Sequence, residues 1–271
     1  MSGPVIGVFD SGFGGLTVLR ALLARMPAAE FVFLGDTARL PYGSKSQRTI
    51  ARYAAESARF LVEAQGAEYL VIACNTASAL ALDAIGEAVA VPVMGVIEPG
   101  AEAAAEATKT GAVMVMATEA TVASHAYAEA CRRRGLRGVE KACPLLVPLV
   151  EEGWIEHAVT EQVVRIYLEE MLRESEAAGL RPDALVLGCT HYPLLRPVLE
   201  RAVPAGVAVI DSAEATAARV AEAMAARVQA GARGAGSIRC FATDSVAKFE
   251  RLGSRFLGQP VGRVELVDLG G

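Results

Sequence analysis

An apolar run that ends in a cysteine occurs twice in this chain on the same plan. Glu68 is followed by Tyr69-Leu70-Val71-Ile72-Ala73 and then Cys74-Asn75-Thr76; Asp183 is followed by Ala184-Leu185-Val186-Leu187-Gly188 and then Cys189-Thr190-His191. Short apolar runs bounded by polar residues read as strands buried on both faces, the kind found in parallel sheets. Parallel strands need a crossover between them, usually a helix, so the repeat commits the chain to alternating strands and helices. It also sets two thiols at strand ends, where open α/β sheets hold their ligands.

The rest of the chain keeps that alternation. Residues 5–9 read as a strand, Asp10-Ser11-Gly12-Phe13-Gly14-Gly15 as a tight turn, and Leu16, Val18, Leu19, Leu22 and Leu23 as one face of a helix. A second strand (31–34) runs into Asp36, then a loop with Pro41-Tyr42-Gly43 and an amphipathic helix over about 47–65. After the Cys74 strand come a helix (77–88) and a fourth apolar run (91–97), with Glu98-Pro99-Gly100 marking a domain boundary.

The alternation then restarts. A helix (101–108) leads to a strand (112–117) ending at Thr118, a helix carrying Val122, Tyr127 and Ala130, and a segment (141–153) in the slot that 36–43 held in the first half. A helix over about 155–178 precedes the Cys189 strand, and a helix over 194–202 follows it. Beyond 207–212 come a long helix to about 229, a loop (231–236), a strand (237–242) and a short helix (about 245–252). The two halves share strand order and site placement, predicting an α/β fold of two pseudo-symmetric α/β domains with mostly parallel sheets and an active site in the cleft between them. The tail is expected to return to the first unit, giving domains of 1–97 plus 208–271 and of 98–207, hinged near 98 and 208.

Composition narrows the function. With 271 residues, 53% apolar and 21% charged, the chain can bury a substantial core. Its net charge of −5 gives no footprint for nucleic acid, and Arg132-Arg133-Arg134 with Arg137 reads as the solvated end of a helix. Every apolar stretch is interrupted before it could cross a bilayer, and the N-terminus lacks the pattern of a signal peptide, so a cytoplasmic location without membrane attachment is expected. Five scattered cysteines do not form a disulfide framework. Of three histidines only His191 lies near a cysteine, and that pair would need distant partners to hold zinc; no metal is expected.

Cys131, Cys143 and Cys240 read as small core residues. Cys74 and Cys189 differ, since each stands at a helix N-terminus, where partial positive charge favours a thiolate. A nucleophilic Cys–His hydrolase would use one thiol and leave the other idle, and a redox pair would need disulfide distance. Acid–base work on the two faces of a planar intermediate uses both, one thiol removing a proton and the other delivering one, which inverts a carbon centre. Asp10 could reach Cys74 from a neighbouring strand end or could merely cap its helix. Ser11, Asn75, Thr76, Thr121 and Thr190 are suitable donors and acceptors for a carboxylate and an amine, and the glycine turn could offer N–H groups to an anion.

Six segments, in order and spanning about residues 5–212, resemble the signatures of the cofactor-independent glutamate racemases. They are Asp10-Ser11-Gly12-Phe13-Gly14-Gly15, Pro41-Tyr42-Gly43, Cys74-Asn75-Thr76-Ala77, Ala117-Thr118-Glu119-Ala120-Thr121-Val122, Ala142-Cys143-Pro144 with Glu151, and Gly188-Cys189-Thr190-His191-Tyr192-Pro193-Leu194-Leu195. The resemblance implies interconversion of L- and D-glutamate by a two-base mechanism without a cofactor, supplying D-glutamate for peptidoglycan, in a chain that pairs as a homodimer. By position Cys74 and Cys189 would be the acid/base thiols, assisted by Asp10, His191 and Glu151, the last preferred over Glu152. Asp10, Ser11, Tyr42, Gly43, Asn75, Thr76, Thr118, Thr121, Thr190 and His191 would line the substrate site. Some members carry an N-terminal extension linked to activation by a cell-wall precursor; with the first strand at Val5, no such activation is expected here. An aspartate or other amino-acid racemase of the same superfamily and a non-catalytic two-lobed ligand-binding protein are the competing readings.

Overall fold

In the computed structural model, which describes residues 3–231 and 236–270, the first half runs β1 (Val5–Asp10), α1 (Leu16–Arg25), β2 (Glu30–Gly35), α2 (Gln47–Arg59), β3 (Tyr69–Ile72), α3 (Asn75–Leu80), α4 (Leu82–Ala88) and β4 (Val93–Gly95). The second runs α5 (Ile97–Ala107), β5 (Ala112–Ala117), α6 (Glu119–Ala123), α7 (Ala126–Arg133), β6 (Arg137–Ala142), α8 (Leu146–Glu151), α9 (Ala158–Ala177), β7 (Ala184–Gly188), α10 (Arg196–Ala202) and β8 (Ala208–Asp211). The chain closes with α11 (Ser212–Gly231), β9 (Ile238–Ala242), α12 (Val246–Leu257) and β10 (Val264–Leu266). Most of the expected 231–236 loop, residues 232–235, lies outside the described residues.

Two sheets result, both with every pairing parallel. One has the order β10-β9-β2-β1-β3-β4 and the other β6-β5-β7-β8. Without the two tail strands the orders coincide, β1 answering to β5, β2 to β6, β3 to β7 and β4 to β8. The α/β duplication is therefore a fact of the topology, and the two cysteine-bearing strands are its equivalent members. Both are buried along their whole length, as strands covered by helices on both faces must be.

Several elements depart from the sequence reading for local reasons. The helix expected over 77–88 starts at Asn75 and breaks at Ala81. The helix expected from Val122 to Ala130 is divided at His125, which takes the left-handed conformation at φ 54°. Glu98-Pro99-Gly100, read as a boundary, lies in the first turns of α5, where proline is tolerated because the early N–H groups have no helical partner. The sequence reading lacks β6, whose Arg137, Glu140 and Lys141 spoil an apolar run; at the sheet edge Arg137 is exposed, Glu140 is bonded to His125 and the Ala128 N–H, and Lys141 pairs with Glu170 and Glu174. It also lacks the three-residue edge strand β10. β8, at the start of the segment expected to return, pairs with β7 in the second sheet, and the strands that join the first sheet are β9 and β10.

One apolar cluster runs through both halves, joining Phe13, Leu16 and Leu19 to Leu187, Cys189, Ala213 and Ala217. The tail enters it through α12, whose Phe249, Leu252, Gly253, Phe256 and Leu257 are buried at the spacing of one helix face. Phe249 meets Phe33 edge-on at 5.8 Å and Phe13 at 6.3 Å. Among the described residues no helix is long and apolar enough to cross a membrane. Because Phe249 is fully buried, Phe249→Ala should cost about 3–5 kcal/mol in a denaturant melt; an unchanged midpoint would contradict the docking of α12.

Candidate active site

The C-terminal ends of the central strands carry the polar residues. Asp10 is the last residue of β1, Cys74 follows β3, Thr118 follows β5 and Cys189 follows β7. The two halves meet at the glycine turn after β1. A Cβ on Gly14 would lie 2.4 Å from Thr190 Oγ1 and 2.7 Å from His191 Nδ1, so only glycine permits this approach. A Cβ on Gly15 would lie 2.6 Å from the Cβ of Asp10. Thr17 Oγ1 then donates across the junction to the Thr190 carbonyl at 3.2 Å.

Cys74 caps α3, its sulfur accepting from the Ala77 N–H at 3.4 Å, and it donates to Ser11 Oγ at 3.3 Å. The helix start was expected to favour a thiolate here, and the structure differs. Burial, reinforced by the Asp10 charge, pushes the Cys74 thiol up to about 12 against those two hydrogen bonds. Asp10 Oδ2 accepts from the Gly12 N–H at 2.9 Å, and burial raises its carboxyl against the opposing His191 charge and the backbone donors. Asp10 Oδ1 is buried with no hydrogen-bond partner among the described residues.

Cys189 has a different neighbour. It leads into a 3-10 turn (Tyr192–Leu195) instead of an α-helix, so the helix-terminus argument does not carry over to it. Its sulfur lies 3.9 Å from His191 Nδ1, and His191 Nε2 lies 3.3 Å from Glu151 Oε1. Burial alone would discharge the ring; the bonds to Cys189 and Glu151 override it and hold His191 protonated up to about 10. Glu151 also accepts from Lys248 Nζ at 2.9 Å, and the two bonds outweigh burial to keep its carboxyl below the usual range. Phe13 and Phe256 flank the ring at 6.0 and 5.1 Å between centroids.

Hydroxyls and amides close the site between the halves. Thr76 and Thr118 lie 2.9 Å apart at Oγ1, Thr118 and Thr121 2.9 Å, and Thr76 and Thr121 3.3 Å. Asn75 Oδ1 accepts from the Tyr127 hydroxyl at 2.7 Å, which leaves its NH₂ to donate elsewhere. Gly43 backs onto Thr118, a Cβ there falling 3.1 Å from the Thr118 Cβ. The buried Tyr42 hydroxyl donates to Asp36, which also accepts from Arg39 Nε and Thr243 Oγ1.

Thirteen positions singled out from the sequence fall at these strand ends, in the loops against them or in the short helices α3, α6 and α8 beside them. Lys248, Tyr127, Asp36 and Phe256 were missed. Lys248 and Phe256 lie in a tail without a readable motif, and Tyr127 reads as an ordinary core aromatic. Among the described residues no three His, Cys, Asp or Glu side chains gather where they could hold a metal ion. An open groove of about 1190 Å³ between α4 and α7 contains none of the site residues.

The sequence matches the Asp/Glu/Hydantoin racemase family over residues 6–220. It is 56% identical to a glutamate racemase of Koribacter versatilis (strain Ellin345), the alignment covering 99% of this chain and 98% of that protein. Its fold superposes on glutamate racemase isoform RacE1 from Bacillus anthracis with a TM-score of 0.89, at 36% identity and 99% coverage of both chains. Superposition on glutamate racemase from Francisella tularensis subsp. tularensis SCHU S4 in complex with D-glutamate gives 0.88, at 33% identity and 99% coverage of both.

The contact at Gly14 sets the site. Gly14→Ala should wedge the two loops apart and destabilise the chain by about 1–3 kcal/mol in chemical denaturation. An unaltered midpoint would show that the junction has slack.

Proposed function

The chain belongs to the Asp/Glu/Hydantoin racemase family and interconverts L- and D-glutamate, and we propose that Cys74 and Cys189 carry that reaction as two opposed acid/base groups without a cofactor. The observation behind this assignment is the topology: the two thiols end equivalent strands of duplicated sheets whose loops touch at Gly14. A duplicated scaffold is suited to presenting one chemical group to each face of a ligand held at its junction.

The proton α to a carboxylate is very weakly acidic, so removing it needs a poised base and fixed donors around the developing charge. In one direction Cys189 sulfur, as thiolate, takes the α-proton, and the electron pair of the broken C–H bond passes into the adjacent carboxylate. Cys74 then gives its S–H proton to the opposite face of the planar carbon. The reverse direction exchanges the roles. One proton is taken and one given, so no oxidant or metal enters the balance.

The neighbours differ in the service they can give. His191 lies within reach of Cys189 for proton exchange, and Glu151 accepts from its far nitrogen. Asp10 and Ser11 sit beside Cys74, and the unsatisfied Asp10 Oδ1 suits the substrate ammonium. Thr76, Thr118, Thr121, Thr190, the Asn75 amide and the backbone at Tyr42 and Gly43 supply donors for two carboxylates. Glutamate over aspartate is the reading carried by the 56% identity over the whole chain. Two thiols by themselves do not choose a side chain. Peptidoglycan is the destination for D-glutamate that this family implies, and the working form we propose is a cytoplasmic homodimer.

Cys74→Ala and Cys189→Ala should each lower racemisation of glutamate by roughly 10²- to 10⁴-fold, followed by circular dichroism from either enantiomer, with aspartate as the control substrate. Near-native racemisation in either variant would rule out the two-thiol assignment.

A further inference from the structure

We propose that Lys248, on the tail helix α12, is a positioning residue for the Cys189 half of the reaction. The inference rests on the two-thiol reading and adds to it a residue that never meets substrate. Lys248 Nζ holds one oxygen of Glu151 at 2.9 Å while the other oxygen holds His191 Nε2 at 3.3 Å. The opposite ring nitrogen lies 3.9 Å from Cys189 sulfur and 3.5 Å from Thr190 Oγ1. A carboxylate held at both oxygens is restrained from rotating, so the imidazolium it grips is fixed in orientation.

The placement of Lys248 supports a dedicated role over a chance surface pair. Its ammonium lies 5.6 Å from the centroid of Phe13, a residue of the glycine turn that also flanks His191. From the same helix Phe256 packs edge-on against the imidazole and against Phe13. Thus α12, anchored on the first sheet, reaches across to a carboxylate at the end of α8 in the second half and clasps the site from outside. The ionisable groups around His191 are Cys189 on its own loop, Asp10 from β1 and Glu151 from α8, with Lys248 behind Glu151. Cys74 has different company, its sulfur contacting Ser11 and a backbone N–H with Asp10 nearby.

The two enantiomers have equal free energy, so any variant must lower kcat/KM equally in both directions. Isotope effects carry no such constraint. If Lys248 serves Cys189, its loss makes proton transfer at Cys189 more rate-limiting and transfer at Cys74 less so. The measurement is the primary isotope effect on kcat/KM with α-deuterated L- and D-glutamate, for wild type, K248M and K248R. K248M is expected to lose roughly fivefold in kcat with little change in KM. Its isotope effect should rise for one enantiomer and fall for the other, and K248R, which keeps the ion pair, should restore the wild-type pattern. K248Q serves the same purpose if K248M does not fold.

Isotope effects that stay at wild-type values, or that shift together for both enantiomers, would overturn the role, the second outcome marking Lys248 as a merely structural contact. A wild type that racemises glutamate while K248M matches it removes Lys248 alone. A wild type inactive on glutamate removes the underlying assignment and this role with it.

Discussion

The site depends on how closely the glycine turn after β1 can approach the loop after β7. Gly14 lies where any side chain would overlap the Thr190 hydroxyl and the His191 ring, and Thr17 fastens the same junction from the next turn of chain. The packed apolar cluster that joins Phe13 and Leu16 to Leu187 and Cys189 fixes this approach from beneath. Close-packed interiors transmit displacement instead of absorbing it. A shift in the tail helix or the first sheet is therefore felt at His191, although neither contains the thiol that His191 serves.

Duplication gave the two cysteines equivalent positions, and the surroundings then diverged. Cys74 keeps a hydroxyl, a helix N–H and a nearby carboxylate, and burial holds it as a thiol. Cys189 keeps an imidazole, itself charged through Glu151. One centre thus rests next to a negative group and the other next to a positive one. The symmetric frame thus carries two thiols with neighbours of opposite sign.

Much of this was legible in the sequence because it was carried by short, local patterns. The apolar runs before Cys74 and Cys189, the glycines after Asp10 and the repeat of the whole plan report directly on buried parallel strands and their ends. What escaped reading depends on contacts distant in sequence. β6 hides because the partners that satisfy its charges, His125 and the Ala128 N–H for Glu140 and Glu170 and Glu174 for Lys141, lie at the start of α7 and on α9. Lys248 gives no local signal, since its partner Glu151 lies 97 residues away and its helix reads only as amphipathic. The thiolate expected at Cys74 failed for a related reason: a helix start is visible in sequence, whereas full burial beside Asp10 is a tertiary fact. The extent of α12 and the pairing of β8 likewise follow from which surfaces the tail covers.

The most direct test of two opposed thiols is a crystal structure of this chain with D-glutamate bound. The α-carbon is expected between the two cysteines, with Cys74 and Cys189 sulfurs on opposite faces, each within roughly 3.5 Å. Both sulfurs on one face, or a glutamate bound away from either thiol, would contradict it.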